Sequence, residues 1–133
     1  MIDCGMSTEF RLTPHADYIH VELAPDYEIR PEGTTALTMA IADVCARQRK
    51  RRVLIEGTVA RRQMGTMDSY GLGALAGSML AGVSLACCFY GYTPDQQTQF
   101  FKDVAQNRGV RIEFFDSRDA ALRWLGVGDN QQP

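Results

Sequence analysis

The sequence predicts an α/β domain. Its sheet is mixed and mainly parallel, with an N-terminal β-hairpin and about four helices in the order β-β-α-β-α-β-α-β-α. Three observations predict this. Short, continuously apolar runs of the buried-strand kind, "VLIE" (53–56) and "VSLACCF" (83–89), recur along the chain. Between them lie stretches with helical spacing of apolar residues and with helix start or stop signals. Near the front, two strand-like segments flank "PHAD", which carries turn chemistry. Strands alternating with helices imply parallel neighbours joined by right-handed crossovers.

Taken in order, Phe10 to Thr13 and Tyr18 to Leu23 form the hairpin. In its second strand Ile19, Val21 and Leu23 point one way, and Tyr18, His20 and Glu22 the other, so one face is partly wet. Pro31 opens a helix at a position where its missing N–H costs nothing. Leu37, Ile41, Val44 and Cys45 are its buried stripe. The basic "RQRKRR" at its end suits the helix dipole and reads as a solvated helix end rather than a nucleic-acid site. After "VLIE" and a polar loop, a helix is expected to start near Asp68, with Leu72, Leu75, Ala76 and Met79 on its packing face. In "YTPDQQ", Thr93 is expected to cap the next helix, with Pro94 first and Gln96 closing a capping box. Phe100, Phe101, Val104 and Ala105 form that helix's stripe, and Gly109 ends it. "VRIEFF" (110–115) is a strand. Ser117 caps a last helix carrying Leu122, Trp124 and Leu125, and "GVGDNQQP" reads as a loose tail. One domain over residues 8–126, with flexible termini at 1–7 and 127–133, is the expected organisation.

The totals fit that reading. A chain of 133 residues holds one domain with a real core. Its net charge of −2 argues against bulk attraction to nucleic acid or anionic membrane. The apolar runs are far short of the ~20 residues of a membrane span, and the N-terminus lacks a basic start and an apolar signal core, so a cytoplasmic location is expected. Cys4, Cys45, Cys87 and Cys88 lack the paired spacing of a zinc site and read as free thiols.

The stretch that asks for a function is "TMDSYGLGAL" (66–75). With Asp68 as N-cap, its carboxylate would accept from the N–H of Tyr70 or Gly71, and Met67 and Leu72 would form a hydrophobic staple. Gly73 and Gly77, four apart, let the helix backbone approach something closely. Either a strand of the same domain or another protein would serve, and spacing alone leaves both open. Free N–H groups at a helix start favour an anion, so phosphate on Ser69 or Tyr70 would meet attraction from the helix end and repulsion from Asp68. Arg61 and Arg62, in the loop leading in, are placed to pair with such a charge. The plain alternative is that Asp68 and Ser69 only cap and the arginines are only solvated.

"MDSYGLGAL" resembles the D-S-S-G-L-G signature of STAS domains, and the chain is similar, over about residues 18 to 126, to SpoIIAA-like (anti-sigma-factor antagonist-like) bacterial proteins. "EFFDSRDAALRWL" resembles their closing strand and helix. The resemblance implies a non-enzymatic, regulatory protein-binding module whose exposed helix start meets a partner, in the antagonists a kinase-like anti-sigma factor. Asp68 takes the place of the family's aspartate and Ser69 of its first serine, and Gly71, Leu72 and Gly73 complete the signature. The phosphorylated serine falls on Tyr70, which is no substrate for a serine kinase. Either Ser69 serves instead, or the scaffold persists without the switch, which is the expectation here. Some STAS-like domains also bind lipids or nucleotides. A second expectation is therefore a binding or sensing domain for a small amphipathic, lipid-like or nucleotide ligand, held between the sheet and the 68–80 helix.

An enzyme is the third and weakest reading. Only His15 and His20 offer an imidazole, both in the hairpin. Ser69 lacks a hydrolase elbow, since Met67 stands where its first glycine would be. "GLGALAG" does not directly follow a strand as a dinucleotide fingerprint should. Cys87 and Cys88 have no base beside them in sequence. The rings of Phe100, Phe101, Phe114, Phe115 and Trp124 read as core. No catalytic residue, metal or cofactor is expected. The partner is expected to be a protein, and the exposed hairpin edge leaves a homodimer open.

Overall fold

The computed structural model describes residues 9–25, 27, 30–58 and 66–127, with the side chains of Pro31 and residues 66–69 outside that description. Its elements follow the expected order: β1 (Phe10–Pro14), β2 (Ile19–Leu23), α1 (Pro31–Gln48), β3 (Arg52–Thr58), α2 (Thr66–Leu80), β4 (Ser84–Tyr90), α3 (Gln96–Gln106), β5 (Arg111–Phe115) and α4 (Arg118–Leu125). The strands form one five-stranded sheet in sequence order, β1-β2-β3-β4-β5. β1 pairs antiparallel with β2, and the other pairs are parallel.

Alternation along the strands divides the core in two. Val21, Val53, Ile55, Leu85, Cys87 and Ile112 face α1, α2 and α3. Leu54, Ala86 and Cys88 face α4, with Ala121, Leu125 and Val127. Neighbouring parallel strands in sequence order, joined by crossovers of one hand, must place their connecting helices on the same face, and they do. α4 has no strand to reach and folds back over the other side. Cys87 and Cys88 therefore point oppositely, both buried. Among the described residues Cys45, Cys87 and Cys88 are free thiols.

The α1 stripe of Leu37, Ile41, Val44 and Cys45 is buried as its spacing predicts, and Pro31 is in the first turn. Ser117 caps α4, accepting from the Ala120 N–H. Five details differ from the sequence reading. α2 begins at Thr66, so Asp68 lies in the first turn and not at the cap; two residues separate the alternatives, within the spread of helix boundaries. Asp95, not Thr93, caps α3: its Oδ1 accepts the Thr98 N–H at 3.0 Å, and a carboxylate gains from the helix dipole where a hydroxyl does not. Met79 is 38% exposed and Leu80 takes its place inside. Phe100 is 36% exposed, while Thr98, on the other side of the helix, is buried. Val127, assigned to the tail, is buried, its N–H donating to the Leu122 carbonyl.

Candidate functional site

α2 is apolar nearly all round, so its glycines decide which side packs. A Cβ on Gly73 would lie 2.9 Å from Val104 and 3.0 Å from the Phe101 carbonyl; one on Gly77 would lie 2.4 Å from the Arg108 Cβ. The Gly73 contacts belong to α3, and Arg108 sits in the turn that follows it. The close approach that these glycines permit is thus to α3 and the turn after it, neither of the two alternatives, a strand or another protein, that spacing left open. Gly73 is buried by this packing. Gly71 differs: a Cβ there meets nothing within 4 Å.

The outward side of the same helix pair carries an aromatic patch. Tyr70 is 44% exposed. Its ring stacks on Phe100 of α3, with centroids 6.3 Å apart and planes at 28°. The Arg108 guanidinium lies 5.8 Å from the Tyr70 centroid, within reach of a cation–π contact. Arg108 crosses over Gly77 to get there, so the bare glycine surface and the patch are one construction. Among the sequence-predicted residues, Tyr70, Gly71 and Gly73 thus share the start of α2, with Gly71 open and Gly73 closed. Asp68 and Ser69 occupy the same first turn. Arg61 and Arg62 lie outside the described residues. Phe100 and Arg108 are the members that the sequence reading missed. Phe100 was assigned to the core because its spacing from Val104 is helical.

A second cluster lies on the α4 side. Glu56, 13% exposed, accepts from the Tyr90 hydroxyl at 2.7 Å, from Arg118 Nη2 at 2.7 Å and Nε at 3.2 Å, and from His20 Nε2 at 2.9 Å. A carboxylate only accepts, so the His20 Nε2 carries the proton. Burial alone would raise the Glu56 carboxyl; the hydrogen bonds from Arg118, Tyr90 and His20 outweigh it and hold the group below its ordinary range. Hydrogen bonds to Cys88 and Glu56 push the Tyr90 phenol up, and burial pushes up the Cys88 thiol. The register explains the convergence. His20 pairs with Leu54, two residues before Glu56, and Tyr90 pairs with Thr58, two after it. Parity puts all three side chains on one face along a diagonal. His20, read with Glu22 on the partly wet face, is bound across the sheet to Glu56. His15 stacks on Tyr18, ring centroids 4.8 Å apart. Chemically the cluster is an ionised carboxylate saturated by donors, which ties β2, β3, β4 and the start of α4 together.

A third feature is a cavity of ≈ 100 Å³ between the sheet and α1, α2 and α3. Leu37, Ile41, Ala76, Leu80, Phe101 and Ile112 are among its walls. Burial lifts the Cys87 thiol at its edge to about 12, so this sulfur is an inert wall. Among the described residues no group of three or more metal-ligating side chains comes together, and no helix is long and apolar enough to cross a membrane.

In comparisons with known proteins, no family model matches the chain and no curated protein matches it.

Proposed function

We propose that this chain is a non-enzymatic, STAS-like (SpoIIAA-like) protein-binding module that acts in regulation in the cytoplasm. Its partner meets the start of α2 and the adjoining turn of α3. The observation that carries this reading is the stacked, half-exposed Tyr70–Phe100 pair backed by Arg108. Tyrosine and arginine are the residue types that most often dominate binding energy at interfaces, and two rings already stacked lose little freedom on docking. Gly71, next to Tyr70 in the chain, leaves open space above its own backbone. Asp68 and Ser69 extend the proposed face on the strength of the resemblance, and Arg61 and Arg62 on their place in the sequence leading into the helix. Tyrosine at the position of the family's modified serine means that the module docks without the serine-kinase switch.

The test uses the full chain expressed in its native cell. Gly71→Trp fills open space and should leave thermal unfolding nearly unchanged. It should cut recovery of the co-purifying partner at least tenfold, as should Tyr70→Ser combined with Phe100→Ser. An unchanged set of co-purifying proteins in both variants would end the proposal. A second reading, a ligand-binding domain, is favoured by the cavity beneath α2.

A further inference from the structure

We infer that the cavity under α1, α2 and α3 is a binding site for a small, uncharged, apolar molecule no larger than a single ring. This inference does not depend on the partner face.

Three observations lead to it. The first is the space itself. Protein interiors are packed like organic crystals, with few voids larger than a water molecule, yet ≈ 100 Å³ is left open here. An apolar cavity of about 150 Å³ stays dry and takes up benzene or xenon, which sets the scale of the occupant. An extended acyl chain or a nucleoside does not fit that scale.

The second is the lining. Leu23, Leu37, Ile41, Ile55, Leu85 and Ile112 are typical of it, and among the described residues it contains no Lys, Arg, Asp or Glu. A phosphate or carboxylate would be buried there without a counter-charge, at a cost that binding does not recover. The hydroxyls at its margin are engaged within the protein. Thr38 Oγ1 donates to the Thr34 carbonyl at 2.8 Å, Thr98 Oγ1 donates to Asp95 Oδ1 at 3.1 Å, and the Tyr92 hydroxyl pairs with Thr98. These three hydroxyls are satisfied without a ligand, and Gln97 brings a side-chain amide to the same margin.

The third is placement. Leu23 ends β2, Phe89 is one residue from the end of β4, and Thr34, Gln97 and Thr98 belong to the starts of α1 and α3. The cavity therefore extends toward the carboxyl rim of the parallel strands, where open α/β sheets hold their ligands.

The experiment follows methyl resonances of Leu37, Ile41, Ile55, Leu80 and Ile112 in the full chain. Benzene is titrated, with decanoate and adenosine monophosphate as the long-chain and nucleotide arms. The expected result is saturable shifts at these methyls with benzene alone. Ala76→Leu should weaken them at least tenfold. If that variant does not fold, Leu80→Ala enlarges the same space and should admit naphthalene, which the natural chain should exclude. The inference is overturned if benzene gives no saturable shift in the folded chain. It is equally overturned if decanoate or the nucleotide moves the same methyls at lower concentration than benzene, or if Leu80→Ala still excludes naphthalene.

Discussion

The two faces of the sheet are built on opposite terms. The face under α1, α2 and α3 is apolar and leaves a space of ≈ 100 Å³. Unfilled apolar space forgoes the packing contacts that a filled core would make. The face under α4 has a smaller core, and a carboxylate with donors from three elements sits beside it. One side keeps room at the cost of stability. The other has little apolar area, one short helix, and a polar clamp that fixes where the helix starts. The contrast is that α4 adds a directional ion pair to a smaller apolar core, whereas the three-helix side rests mainly on burial.

The largest effect that would break this comparison is expected at Glu56. Glu56→Ala strands the half-buried Tyr90 and His20 donors and releases Arg118. We expect a loss of about 2–3 kcal/mol, below the range for a fully buried pair because Arg118 is half exposed. Denaturant unfolding measures it. The pH dependence has a definite sign. The folded carboxyl titrates below its ordinary value of 4.5, so its contribution is complete above that pH and is lost as pH falls through the folded value. Glu56→Gln should lose that acid-dependent part of the stability curve. If the variant keeps the same slope between about pH 5 and 3, the clamp is not what the acid limb reports.

A smaller and sharper effect separates the glycines of α2. Alanine is favoured over glycine in a helix by ~1 kcal/mol. At Gly71, where the added carbon meets open space, Gly71→Ala should stabilise by most of that amount. At Gly73 it meets Val104 and a carbonyl of α3, and Gly73→Ala should destabilise by about 1–2 kcal/mol despite the propensity gain. Thermal unfolding of the two variants should move in opposite directions. Shifts of the same sign would mean that α2 and α3 are not packed through their glycines.

Much of the architecture was legible because it rests on local signals. The alternation of Ile19, Val21 and Leu23, the α1 stripe and the Ser117 cap each sit within a few residues of one another, and each is found as read. What was illegible depends on partners far along the chain. α2 has Leu72, Leu75, Met79 and Leu80 on several sides, so the face read from spacing took in Met79 where Leu80 is the buried residue, and the neighbour at Gly73 and Gly77 was settled only by α3 and the turn after it. Glu56 reads as the polar end of an apolar strand. Its partners His20 and Arg118 lie 36 and 62 residues away, and the strand register that joins them is not written in either segment. Tyr70 was marked by its place in a motif; Phe100, its stacking partner, was assigned inward because helical spacing does not say which of two adjacent phenylalanines turns out.

The partner face is tested most directly by photo-crosslinking in the native cell. Tyr70 is replaced by p-benzoylphenylalanine in one strain, and the exposed Asp119 of α4 in another. The account predicts a discrete protein adduct from position 70 that is missing from position 119 and is lost when Gly71→Trp is added. No adduct from position 70, or the same adducts from both positions, would contradict it.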